Sequence, residues 1–140
     1  MNWGRYLKKK ASKYGAKRTL CSENHPHPSG LEASVCELLI LRQRAKEIRN
    51  LKWQHTVHLG SGIKWKVDWS FERAPDWHPM LAEAKGVEGR DYRMKLKMYQ
   101  NGGGTCPIEI WKGSAARPRI VEVVVPKAAS DICPACGACK

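Results

Sequence analysis

Three residues on two predicted strands carry side chains that can assist the hydrolysis of a phosphodiester bond. Asp68 lies on the polar face of a strand whose other face is strongly apolar, and Glu83 and Lys85 follow about fifteen residues later, two positions apart. Alternate residues of a strand project from the same face. Carboxylates bind Mg²⁺ or Mn²⁺, which lower the pKa of a bound water, and a lysine stabilises the charge that develops on the phosphate. If the two strands are neighbours, Asp68, Glu83 and Lys85 converge.

A helix is expected before these strands, because apolar residues recur at helical spacing from Leu31. Ser29 followed by Glu32 has the pattern of a capping box, and the spacing predicts a helix from about Leu31 to Asn50. Its buried stripe is expected to contain Leu31, Val35, Leu38, Leu41, Ala45 and Ile48.

The segment after this helix has the two-residue alternation of a β-hairpin, with Gly60, Ser61 and Gly62 as its turn. A short strand with Glu83 and Lys85 follows, then a basic helix ended by three glycines, then two more strands. The predicted ranges after the first helix are 53–59, 63–71, 80–86, 90–100, 107–112 and 119–125. The order of one helix, three strands, a helix and a strand, with one strand added, predicts an α+β fold.

The charge balance favours a polyanionic partner. The formal net charge is +12 and the sequence pI is about 9.7, which makes DNA the first choice. Residues 1–20 contain basic residues and no acid, so Lys8, Lys9 and Lys10 are expected to contact phosphates, with a solubilising tail as the alternative. We find no long apolar run and no export-signal pattern, and we therefore expect a soluble cytoplasmic protein without a membrane partner.

The motifs resemble, over roughly His25 to Val125, those of a family of small phage-borne endonuclease-like proteins in the PD-(D/E)XK superfamily. The segment Ser29–Ala33 is similar to the family's Ser-x-x-Glu-Ala helix opening, and Trp65–Trp69 is similar to its Tyr-x-x-Asp-Phe strand. Glu83–Gly86 resembles its Glu-x-x-Lys-Gly strand with one residue fewer before the lysine. The residues Tyr92, Lys95 and Lys97 resemble the basic helix that closes the motif.

This resemblance implies a restriction-endonuclease-like αβββαβ core with a mixed central sheet. It implies that Glu32, Asp68 and Glu83 form the metal site and that Lys85 is the catalytic lysine, although Glu32 could also be only a helix cap. It assigns nucleic-acid contacts to Gln54, Lys95 and Lys97. The implied protein is a Mg²⁺- or Mn²⁺-dependent DNA endonuclease of a phage or prophage in a bacterial host, with branched DNA such as Holliday junctions as the expected substrate. Symmetric cutting of two strands would favour a homodimer.

The cysteines indicate a second metal site of a different kind. Cys133 and Cys136 resemble a zinc knuckle, and Cys139 offers a third thiolate from the same tail. The fourth ligand is expected to be Cys21, with His25 or His27 as alternatives. Zn²⁺ is the first choice, and an iron–sulfur cluster is the alternative, because some nucleases of the superfamily combine one early cysteine with three late ones. Both Cys36 and Cys106 are expected to be buried thiols.

The chain is therefore expected to consist of a basic arm at 1–20, a nuclease core domain at 21–127 and a cysteine-rich metal-binding tail at 128–140. A second hypothesis is a non-catalytic, zinc-containing nucleic-acid-binding protein, such as a phage regulator. It accounts for the charge and the cysteines but gives no role to Asp68, Glu83 and Lys85.

Overall fold

The structure, a computed structural model, describes residues 18–127. From the first helix onward its elements follow the predicted order, and two short strands that were not predicted precede that helix. The helices are α1 (Gly30–Arg44) and α2 (Arg90–Met98), and α2 continues into a π-helical turn, Tyr99–Gly103. The strands are β1 (Thr19–Leu20), β2 (Pro26–His27), β3 (Ile48–Gly60), β4 (Ile63–Arg73), β5 (His78–Ala84), β6 (Ile108–Ser114) and β7 (Arg117–Val124).

The last five strands form one mixed sheet in the order β3-β4-β5-β6-β7. Only the pair β5–β6 is parallel, with Leu81 opposite Ile108, and the chain between these two strands contains α2. The core consists of two apolar clusters, one containing residues of α1 and the other containing Tyr92 of α2 and Tyr99 of the π-helical turn. The predicted α+β class with a mixed sheet is therefore confirmed.

The start of α1 is as predicted, and its end is not. The Oγ atom of Ser29 accepts a hydrogen bond from the backbone N–H of Glu32 at 3.2 Å, so the predicted cap is confirmed. The expected extension to Asn50 is wrong, because Lys46 adopts a φ of 60° and the chain leaves the helix. Ile48 is buried, but it begins β3 and pairs with Arg73.

The buried stripe of α1 also differs from the prediction at its centre. Leu41 is 54% exposed, whereas Leu39 and Ile40 are buried. In the last turns of the helix, the residues that face the core therefore lie one or two positions earlier in the chain than the predicted ones.

The long hairpin of β3 and β4 confirms the predicted turn. Gly60 pairs with Ile63, and the two residues between them, Ser61 and Gly62, have φ angles of 51° and 75°. Positive φ at both positions matches the twist of a two-residue hairpin turn, and Gly62 adopts it without strain.

The apolar face of β4 contributes to both core clusters. Trp69 and Phe71 pack in the cluster that contains α1, whereas Trp65 and Val67 pack in the cluster that contains Tyr92 and Tyr99. The change of cluster occurs at Asp68, and the recorded pairing of β4 with β5 ends next to it, at Trp69 opposite Ala82. Asp68 thus lies where the two strands begin to separate.

One ion pair is nearly buried between α1 and β6. Arg42 Nη1 lies 3.2 Å from Glu109 Oε1, and the Glu109 side chain is 2% exposed. The indole N–H of Trp111 also donates to this oxygen, at 3.4 Å. Because a buried carboxylate without a partner is unfavourable, this pair helps to hold α1 against the sheet.

Candidate active site and metal site

Asp68 and Glu83 are fixed by hydrogen bonds to the backbone of each other's strand. The backbone N–H of Asp68 donates to Glu83 Oε2 at 3.1 Å, and the backbone N–H of Ala84 donates to Asp68 Oδ2 at 2.9 Å. The two carboxylates thus replace part of the strand-to-strand bonding where β4 and β5 separate. Each carboxylate uses one oxygen for the backbone and has a second oxygen that can bind a ligand.

The three predicted acids influence one another's pKa values. Burial and the nearby Glu32 raise the pKa of Asp68 to about 7, and burial and Asp68 raise the pKa of Glu83 to about 9. Burial raises the pKa of Glu32 to about 7. Lys85 opposes the rise for all three acids. The structure therefore brings together the four residues that the sequence predicts for the site.

The electrostatics of this group fit a divalent cation. Three mutually repelling carboxylates with one lysine carry excess negative charge when ionised, and their burial makes that charge unfavourable. Their donors are carboxylate oxygens, which suit Mg²⁺ or Mn²⁺ better than softer metals. Asp68 and Glu83 could therefore hold such an ion. Among the described residues, the carboxylate oxygens of Glu32, Asp68 and Glu83 do not all lie within 4.8 Å of one another, so Glu32 would have to approach the other two to complete the site.

Lys85 lies at the edge of an open groove of about 360 Å³. Its Nζ atom is 5.1 Å from the centre of the Tyr92 ring, a distance at which a cation is attracted to the aromatic face. The hydroxyl group of Tyr92 is buried and has no hydrogen-bond partner among the described residues. The residues that line the groove include Trp65, Lys66, Glu83, Lys85, Tyr92 and Lys95.

The predicted nucleic-acid contacts are distributed unequally around this groove. Lys95 lines it and pairs with Asp91 at 3.2 Å, whereas Lys97 is exposed and does not line it. Lys66, which the sequence analysis did not single out, also lines it. Its position could have been inferred from the strand alternation, since it lies two residues before Asp68 on the same face.

Gln54 lies beside Asp68 on the neighbouring strand. Its neighbours Trp53 and His55 pair with Trp69 and Val67, the two residues that flank Asp68. The backbone of Gln54 has a φ of 61°, and its side chain is exposed. The predicted contact with nucleic acid is compatible with this exposure.

A second candidate metal site consists of Cys21, His25, His27 and Cys36. One potential ligand atom from each residue lies within 4.8 Å of those from the other three. The first three residues belong to the ribbon of β1, β2 and the turn between them, and Cys36 belongs to α1. These four residues are a Cys₂His₂ group that could bind a metal ion.

The composition of this group differs from the ligand set predicted for Cys21. Cys36 is buried as expected, but it lies beside Cys21, and both His25 and His27 are members rather than alternatives. The spacing Cys-x₃-His-x-His-x₈-Cys is the sequence signal that could have identified the group. The predicted ligands Cys133, Cys136 and Cys139 lie outside the described residues, as do Lys8, Lys9 and Lys10 of the basic arm.

No protein-family model matches the chain, and no curated protein or solved structure has significant similarity to it. Within residues 18–127, no helix is long and apolar enough to cross a lipid bilayer.

Proposed function

We propose that the protein is a metal-dependent DNA endonuclease of the PD-(D/E)XK type, which hydrolyses phosphodiester bonds with Mg²⁺ or Mn²⁺. The observation that carries this proposal is the reciprocal bonding of Asp68 and Glu83 across β4 and β5, with Lys85 beside them. Strand pairing alone does not require two acids at a partly buried strand junction. Their placement is better explained by a shared ligand.

Each residue of the site has a distinct role in this proposal. Glu32, Asp68 and Glu83 hold the metal ion, which when bound neutralises the phosphate and supplies a water of lowered pKa. Lys85 is directed at the scissile phosphate, and the Tyr92 ring lies beside its ammonium group. Lys66 and Lys95 line the adjoining groove and bind the flanking phosphates.

The polyanion is proposed to be DNA, on the basis of the net charge of +12 and the lysines of the groove. Branched DNA such as a Holliday junction is the proposed preferred substrate. A homodimer in the cytoplasm of a phage-infected or prophage-carrying bacterium is the proposed active form, since symmetric cutting of two strands favours two-fold symmetry.

Cleavage assays on labelled duplex, flap and four-way-junction DNA, with and without added Mg²⁺ or Mn²⁺, test the proposal. Asp68→Ala and Lys85→Ala should each lower the cleavage rate at least about 100-fold, while binding of DNA is retained. The matched control is Glu72→Gln, which removes a half-buried acid from the same strand and should cut at the wild-type rate.

Two outcomes would contradict the proposal. The first is wild-type cleavage by Asp68→Ala. The second is tight DNA binding by the wild-type protein without metal-dependent cleavage of any of the three substrates. The second outcome would favour a non-catalytic, zinc-containing DNA-binding protein.

A further inference from the structure

We infer that Cys21, His25, His27 and Cys36 bind one structural zinc ion, which fastens the N-terminal ribbon to helix α1. The four potential ligand atoms lie within 4.8 Å of one another. Zinc–sulfur and zinc–nitrogen bond lengths place tetrahedral ligands about 3.3 to 3.8 Å apart. Small movements of the side chains therefore complete the coordination, and the backbone can remain as it is.

Two buried nitrogen atoms in this group lack partners. The Nδ1 atom of His25 and the Nε2 atom of His27 are buried and have no hydrogen bond with the described residues. An unsatisfied buried polar atom costs about 1–3 kcal/mol, so two of them beside two buried thiols call for an explanation. A shared metal ion provides one.

The second ring nitrogen of His27 supports the same assignment. Its Nδ1 atom lies 3.2 Å from Glu32 Oε1. A proton on Nδ1 is donated to this carboxylate, and the lone pair of Nε2 is then available to a metal. Histidine ligands of zinc are commonly oriented by such a bond to a carboxylate. Glu32 thus also connects the zinc site to the candidate active site.

The turn between β1 and β2 orients Cys21 and His25 before a metal ion binds. The backbone N–H of Asn24 donates to the carbonyl of Cys21 at 2.9 Å, and Asn24 adopts a φ of 61°. This turn lets the backbone N–H of His25 donate to Cys21 Sγ at 3.4 Å, a bond that stabilises a thiolate. The ring of Trp53 stacks on that of His25 at 5.0 Å and 9°, which restricts the imidazole orientation.

The chemistry and position of the group favour a structural role. Two thiolates and two imidazoles suit zinc, and four protein ligands leave no open position for a substrate. A two-iron cluster would hold its ligand pairs on separate ions and would need them further apart. A pair of two-residue strands has little stability of its own, so an ion that joins it to Cys36 has a clear effect.

The test begins with the full-length wild-type protein, expressed with ample zinc and iron and dialysed against magnesium-free buffer. Elemental analysis should find a tightly bound zinc, and X-ray absorption should show a site with two sulfur and two nitrogen ligands. Neither readout depends on DNA cleavage, so this inference and the proposed function can fail separately.

Variants then assign the ligands. Cys36→Ser and His25→Asn should each lose this zinc and lower the melting temperature. Cys106→Ser is the matched control, because Cys106 is also buried and free but lies in the other core cluster, and it should keep the zinc. Joint replacement of Cys133, Cys136 and Cys139 by serine should leave the two-sulfur, two-nitrogen site in place.

Several results would overturn the inference. One is X-ray absorption that shows zinc bound by three or four sulfur atoms only. A second is loss of the zinc on replacement of the tail cysteines together with its retention in Cys36→Ser. A third is wild-type protein that contains no metal. A disulfide between Cys21 and Cys36, detected as a mass lower by about 2 Da, would also overturn it. The measurements on wild-type protein decide the question even if a variant does not fold.

Discussion

Replacing Asp68 by asparagine should stabilise the protein in the absence of Mg²⁺ while it abolishes cleavage. Asparagine keeps a carbonyl oxygen that can accept the bond from the Ala84 N–H, which Asp68 Oδ2 accepts at 2.9 Å. The substitution therefore removes a charge and retains the link between β4 and β5. Groups that serve a ligand often reduce stability in this way when the ligand is absent.

The pKa of Asp68 gives the size of the expected gain. It rises from 3.8 to about 7 on folding, because of burial and the nearby Glu32. One pKa unit corresponds to about 1.4 kcal/mol, so ionising Asp68 at pH 8 costs the folded state at most about 4 kcal/mol. Because Asp68, Glu83 and Glu32 share their protons, we expect about half of this, a gain of roughly 2 kcal/mol.

The sign of the pH dependence follows from the same rise. Between pH 4 and 7 the folded protein binds more protons at Asp68 than the unfolded chain, so the stability of the wild-type protein falls as the pH increases through this window. The asparagine variant should show a smaller fall. Its advantage should therefore be large at pH 8 and nearly absent at pH 4.

Urea denaturation in magnesium-free buffer at pH 4, 6 and 8 measures this advantage. Glu72→Gln is the control, because hydrogen bonds from Asn50 and Arg49 lower the pKa of Glu72 and its removal should give no gain. Added Mg²⁺ should raise the midpoint of the wild-type protein and leave that of Asp68→Asn unchanged. If Asp68→Asn is no more stable than wild type at pH 8, the electrostatic interpretation of the site is incorrect.

Two further predictions concern the ion pair of Arg42 with Glu109 and the basic arm. Arg42→Ala should lower the free energy of unfolding by about 3 kcal/mol, because it leaves the buried Glu109 unpaired, and the double change with Glu109→Gln should recover part of the loss in urea titrations. If the double variant loses as much free energy of unfolding as Arg42→Ala does, Arg42 stabilises the protein through packing. Deletion of residues 1–17 removes six basic side chains and should make the salt dependence of DNA affinity shallower, whereas an unchanged slope would exclude phosphate contacts by the arm.

The parts of the fold that follow from local geometry could be predicted from the sequence. The turn at Gly60–Gly62 and the shared face of Glu83 and Lys85 depend on the two-residue period of a strand. The end of α1 could not be placed, because Ile48 fits a helical stripe and equally begins a buried strand. Only the positive φ of Lys46 and the pairing of Ile48 with Arg73 distinguish these alternatives.

In the candidate sites too, features set by local geometry could be predicted and features set by tertiary packing could not. Asp68 and Glu83 belong to the adjacent strands β4 and β5, and Lys85 follows β5 directly, so the pattern of one hairpin brings them together. The Cys₂His₂ group combines a ribbon with a helix, so its spacing marks the candidate ligands, but the packing of α1, which spacing does not specify, decides whether they meet. The change of core cluster along β4 at Asp68 was also beyond prediction, because strict alternation indicates one continuous face.

The single parallel pair of strands has a consequence for the order of folding. The link between β4 and β5 has four residues, 74–77, whereas that between β5 and β6 has 23, residues 85–107. The entropy of closing a loop rises with its length, so the antiparallel strands are expected to pair before β6 joins them. Asp68 and Glu83 are then expected to meet before β6 is in place. Because burial raises the pKa of both carboxylates in the folded protein, we expect the pairing of their strands and the full desolvation of the site to be separate steps.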